Sequence, residues 1–193
     1  MGDGTSPASS VDVVSYDVVV EHLLASSRHR YEGRPSDGVR SAVPGEQESR
    51  EFVQVRAGRG IVGDRFFGQG AHSTASVTVM AAESLDHVML ALGLDHPLDA
   101  ASARRNIVVR GFDIDALKGE EFSLDSGDGP VLFQGHRPAN PCGWMDVVLA
   151  PGAHKALRGR GGVRCAPLTD GVLRLGPAVL RTSARSLREP TLV

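Results

Sequence analysis

Cysteine is nearly absent: the 193 residues hold only Cys142 and Cys165. Two thiols build neither a disulfide framework nor a four-thiolate zinc site, so a reducing cytoplasm is the expected setting and each thiol is read singly. Lysine is as scarce, with Lys118 and Lys155 beside 19 arginines, and neither supports a pyridoxal phosphate site. No apolar run approaches the roughly 20 residues of a membrane-spanning helix. Residues 1–10 are rich in Gly, Ser, Pro and Thr with no basic or apolar region; they read as a frayed leader, and export is not indicated. Phosphate-loop and dinucleotide fingerprints are missing, and no histidine pair at i, i+4 has a third ligand in reach, so zinc is not supported. Internal repeats and regular βαβ alternation are missing too, which argues against a doubly wound fold.

What remains has an ordinary globular balance, 41% hydrophobic and 23% charged, and residues 11–193 suit one domain with a real core. The net charge of −2 argues against a general nucleic-acid binder. It hides an asymmetry: residues 1–100 carry 8 basic against 14 acidic residues, and residues 151–193 carry 8 basic against 2 acidic. Because nearly all the bases are arginine, the forks suit bidentate binding of phosphate or carboxylate, although genomic base composition accounts for the bias equally well.

Short β-branched and alternating segments dominate the chain. They predict strands in residues 11–24, 51–56, 75–81 and 107–109, a hairpin of 121–125 with 131–134, and a second hairpin of 163–168 with 172–175 turned by Asp170-Gly171. Residues 32–50 read as a surface loop. Helical spacing of Leu85, Val88, Met89 and Leu92 predicts the longest helix over 83–92, stopped by Gly93. Residues 113–117 make at most one turn, and a short helix begins at Pro151 and ends at Gly159. The fold class is therefore mainly β (α+β), with a few short helices.

Four clusters carry the chemistry: Ile61-Val62-Gly63-Asp64-Arg65, Arg104-Arg105-Asn106, the run from Arg137 through Asn140-Pro141-Cys142-Gly143 to Asp146, and Arg158-Gly159-Arg160-Gly161-Gly162. Pro141 and Gly143 hold Cys142 in a restricted, accessible backbone setting, and Arg137 nearby favours the reactive thiolate; the competing reading of a lone cysteine is a buried small hydrophobe. For Cys165, in an alternating strand, the packed reading wins. Arg104 and Arg105 place two guanidinium forks, and Asn106 an amide, just before a strand, either to clamp an anion or to complement a helix dipole. Arg158 and Arg160 with the three glycines make an anion-approaching loop or a flexible connector. Gly63-Asp64 reads as a tight turn in which Asp64 bonds local amides. His72 either faces the same cleft or sits in solvent.

Taken in order from about Gly60 to Val179, these elements resemble the MOSC domain family, named after the C-terminal domain of molybdenum cofactor sulfurase, in its bacterial stand-alone form. Residues 29–35 also look like an element near the start of some members. The resemblance implies a β-barrel-like fold. It also implies a molybdenum cofactor (molybdopterin) held in a cleft lined by Arg104, Arg105, Asn106, Arg137, Asn140 and Cys142, with Arg158 and Arg160 closing another side. Cys142 matches the cysteine that such proteins use to carry sulfur or ligate molybdenum. The implied activity is sulfur transfer, or molybdenum-dependent reduction of N-hydroxylated compounds, on a small-molecule substrate, with a separate sulfur donor or electron-transfer protein as partner. The alternative class is a non-catalytic binding module for a phosphorylated ligand or nucleic acid.

Overall fold

β-Branched residues two apart put one face of a strand against a core and the other toward water, and the first strand shows it. In β1 (Val14–Leu23), Val18, Val20 and Leu23 are buried while Val14 and Val19 are exposed. The computed structural model describes residues 12–184, so the leader expected over residues 1–10 lies outside the described residues. The chain continues through β2 (Phe52–Arg56), β3 (Gly60–Ile61), β4 (Val77–Ala81), α1 (Glu83–Leu92) and β5 (Ile107–Arg110). There follow β6 (Glu121–Asp125), β7 (Val131–Pro138), α2 (Met145–Val148), α3 (Ala153–Ala156), β8 (Val163–Pro167), β9 (Gly171–Arg174) and β10 (Gly176–Thr182).

Seven strands close a barrel in the order β1-β10-β6-β7-β8-β4-β5, and β3-β2-β9 form a separate small sheet. Closure removes the unpaired edges that an open sheet would present. Val77, Val79, Ile107, Val109, Phe122 and Phe133 fill the interior. Phe122 and Phe133 face each other across β6 and β7 and stack at 5.3 Å between centroids. The fold is mainly β with few short helices, as the strand-rich pattern predicts.

One βαβ unit interrupts the antiparallel scheme: β4 and β5 pair parallel, with α1 as the crossover. Gly93, at φ 65°, ends α1 in the left-handed conformation that glycine accepts without steric cost. Leu85 and Val88 of α1 pack with Met80, Trp144, Met145 and Leu157 in a second core outside the barrel. This second core carries α2, and therefore the Cys142 turn that precedes it.

Two expectations need correction. The hairpin of residues 163–168 with 172–175 does not form: both edges of β8 are occupied by β4 and β7, so β9 pairs with β2 in the small sheet. Gly171 lacks the positive φ of a type I′ turn and is small for another reason, since a Cβ there would lie 2.6 Å from Val131. Asp170 accepts a hydrogen bond from the Ala57 amide at 2.8 Å. The second correction is β10, unforeseen in the sequence, which joins β1 to β6 and closes the barrel.

Candidate functional site

A buried amide must find partners for both of its polar atoms, and Asn106 does so entirely within the protein. Its Oδ1 accepts from the Thr78 amide and hydroxyl, both at 2.9 Å. Its Nδ2 donates to the Leu24 carbonyl at 3.1 Å and to Asp64 Oδ2 at 3.0 Å. Asp64 also accepts from the Phe66 amide at 3.0 Å and the Ser26 amide at 3.4 Å, so its role reaches well beyond the local turn. Burial raises the Asp64 carboxyl above its ordinary value, against the opposing bonds from Phe66, Ser26 and Asn106 and the charge of Arg65. The Asn106–Asp64–Thr78 knot ties β4, β5 and the residue 61–66 turn together under a narrow polar pocket of about 40 Å³.

Arginines surround that pocket, and they differ in what already engages them. Arg104 has φ 54°, the sole positive φ of a non-glycine among the described residues. It donates from both terminal nitrogens to Glu48, each at 2.9 Å. Arg30 adds a bond to the same carboxylate at 2.9 Å, and Ser26 one at 2.5 Å. Burial alone raises the Glu48 carboxyl, but the hydrogen bonds from Arg104, Ser26 and Arg30 overcome that and hold it at about 2. Arg105 is a backbone clamp: Nε donates to Gly161 O at 2.9 Å, Nη1 to Ala103 O at 3.0 Å and Nη2 to Ala139 O at 2.8 Å. Burial, then repulsion from Arg164, lowers it to about 10, while Cys142 pulls the other way. By holding the Ala139 carbonyl, Arg105 anchors the segment that leads into the Cys142 turn, although 37 positions separate residues 105 and 142 in the chain.

Arg65 and Arg164 stand on the same pocket with no such engagement. Among the described residues neither makes an ion pair, and the buried Nε of Arg65 has no hydrogen-bond acceptor. Arg65 lies over the Phe66 ring at 4.5 Å. Burial lowers it, and repulsion from Arg104 and Arg164 adds to the effect against the attraction of Asp64. Burial and then Arg137 lower Arg164. Mutually repelling, half-desolvated guanidiniums are unfavourable until an anion joins them.

Cys142 is exposed and Cys165 buried. The Cys142 carbonyl accepts from the Met145 amide at 2.9 Å, which starts α2. Trp144 stacks on Tyr31 at 5.3 Å, and the Tyr31 hydroxyl donates to Ser102 O at 2.6 Å, so the residue 29–35 element roofs the cysteine turn. Arg137 and Asn140 are exposed, with Arg137 opposite Arg164 across β7 and β8. Arg158 is exposed and Arg160 half-buried. His72 rests half-buried on the Phe66 ring at 4.7 Å.

The glycines of the 158–162 loop serve close packing. A Cβ on Gly161 would strike the Ala139 carbonyl, and one on Gly162, at φ 83°, would strike the Val79 carbonyl. The Gly162 amide is taken by Asp115 at 3.0 Å and the Gly161 carbonyl by Arg105, so these groups hold the loop against residue 139 instead of facing an anion. Sequence reasoning missed Glu48, Arg164 and the distinct standing of Arg65. Arg164 did carry a signal, as a charged residue between Val163 and Cys165 in a buried strand.

The fold and cleft together define a closed-barrel protein with an arginine-lined pocket and a separate, exposed thiol. The chain belongs to the MOSC domain family, whose model matches residues 62–180 and which is associated with the molybdenum cofactor. The YUAD protein from Bacillus subtilis is similar in fold, at TM-score 0.63 and 15% identity over 90% of this chain and 99% of that one. YiiM from Escherichia coli is similar at TM-score 0.52 and 14% identity, over 92% of this chain and 73% of that one. No curated protein matches the chain. No helix among the described residues is long and apolar enough to cross a membrane.

Proposed function

We propose that this chain binds the molybdenum cofactor in the arginine-lined cleft and works through Cys142. The reading rests on one observation: two guanidiniums that make no salt bridge among the described residues, Arg65 and Arg164, share a pocket with Arg105, which holds the backbone three residues before Cys142. This donor set fits the group. A phosphate takes up the unspent N–H donors of Arg65 and Arg164, and a soft thiolate suits molybdenum or sulfur. Asn106 and Arg105, filled by protein bonds, position the pocket floor and the residue 139–142 turn. Arg137, Asn140, Arg158 and Arg160 do not line the pocket; Arg137 comes nearest to it as the cross-strand neighbour of Arg164. When bound, the cofactor supplies a metal centre for sulfur transfer or for reduction of N-hydroxylated compounds. Cys142 serves as the carrier of sulfane sulfur from a separate donor protein or as the thiolate ligand, with a partner supplying electrons.

Anaerobic purification with molybdenum and pterin analysis tests the reading. Molybdenum near one atom per chain, lost in Cys142→Ser, supports a ligand role. Persulfide at Cys142 after incubation with a sulfur donor supports the carrier role. Metal-free protein without pterin, modified at Cys165 and not at Cys142, would overturn both.

A further inference from the structure

Beside the anion pocket lies a second cavity of a different character. It measures about 370 Å³, the size of a small-molecule site. Arg104 and Leu24 line both cavities, so the Arg104–Glu48 pair is the wall between them. The charges on the second cavity are already balanced: Glu48 holds Arg104 and Arg30, and Asp99 caps the Ala100–Ala103 turn through the Ala101 amide. Of the remaining lining, Ser49 and Ser102 are polar, while the valines, Leu24 and Ala101 form an apolar side. Val147 is 54% exposed and Val39 39% exposed, and both face this concavity together with Val148 and Tyr31. Exposed valines in a charge-balanced hollow are a feature that packing of the chain alone leaves unexplained.

The cavity also borders the helix that the cysteine turn starts. Val147 and Val148 belong to α2, whose first amide bonds the Cys142 carbonyl, and Tyr31 stacks on Trp144 two residues past Cys142. Within it, Arg30 donates from Nε to Arg40 O and from Nη1 to Glu48, which leaves Nη2 for an acceptor.

We propose that this second cavity is the substrate subsite. It takes an uncharged molecule with an apolar ring and an acceptor oxygen of the amide type, the ring against Val39 and Val147 and the oxygen toward Arg30. The inference rests on the reading that Cys142 is the reactive centre; the binding it predicts does not depend on cofactor content.

Benzamide titrated into the full chain, followed by calorimetry or ligand-observed NMR, tests it. Saturable binding is expected, weakened at least tenfold by Val39→Trp and by Val147→Trp, which fill the cavity from exposed positions, and unchanged in Arg164→Gln. Benzoate and benzylamine are expected to bind at least tenfold more weakly than benzamide. Absence of saturable binding, insensitivity to both tryptophan variants, or loss in Arg164→Gln would overturn the proposal. Molybdenum and pterin content, measured on the same samples, reports separately on the proposed cofactor.

Discussion

The Arg104–Arg105 corner and the wall made by Arg65 and Arg164 present the same chemical group to the same pocket and do opposite work. At the corner every guanidinium is engaged: Arg104 by Glu48, Arg105 by three backbone carbonyls. Hydrogen bonds to a charged group contribute about 1.5–3 kcal/mol each, enough for Arg105 to offset its own desolvation and fix the position of residues 139 and 161. On the wall Arg65 and Arg164 are desolvated without a salt bridge among the described residues to offset it, Asp64 attracting Arg65 only in part. The corner stabilises the folded chain, whereas the wall leaves its guanidinium donors without acceptors among the described residues.

The sharpest way to break that contrast is to cut the knot beneath both regions. Asn106→Ala strands Thr78, Asp64 and Leu24 groups in a buried site, and is expected to cost about 3–5 kcal/mol by the usual penalty for breaking a buried network. Thermal or urea unfolding measures it; a loss below about 1 kcal/mol would remove Asn106 as the keystone. Arg105→Lys keeps the charge and loses the fork. We expect about 1–3 kcal/mol of destabilisation and faster hydrogen exchange at residues 139 and 161–162, with weaker cofactor retention as a consequence.

The wall is expected to respond in the reverse sense. Arg164→Gln and Arg65→Gln relieve repulsion, so stability holds or rises slightly, while phosphate or pterin binding falls at least tenfold. A variant that unfolds instead would place that arginine with the corner. The smallest effect is acid sensitivity at Glu48. Its folded-state pKa lies below the ordinary 4.5, at about 2, so its contribution is present above pH 4.5 and is lost as pH falls from there toward 2. Glu48→Gln is expected to flatten that part of the pH–stability curve.

Cys142 and Cys165 repeat the lesson at smaller scale. The alternating Val163-Arg164-Cys165 pattern foretold a packed thiol, and Cys165 is fully buried with its pKa pushed up by burial. Pro141 and Gly143 foretold an accessible one, and Cys142 is exposed. Both outcomes were legible because burial in a strand follows a period of two and because proline and glycine restrict their neighbours locally. Helix α1 was legible in full for the same kind of reason, its apolar spacing and its glycine stop being local signals.

What local signals cannot carry is partnership. Nothing near Asp170-Gly171 shows that β4 and β7 already hold both edges of β8, so the hairpin read there gave way to pairing of β9 with β2. Residues 32–50 read correctly as a loop, yet Glu48 within that loop is the counter-charge of Arg104, 56 positions away. Composition and spacing by themselves determined the strand-rich class, the main helix and the contrast between the two thiols, since each depends on neighbours within a few residues. Only the tertiary structure decided which arginines are spent and which are free, because a guanidinium's free energy is set by the carboxylates and carbonyls that the fold brings to it from distant parts of the chain.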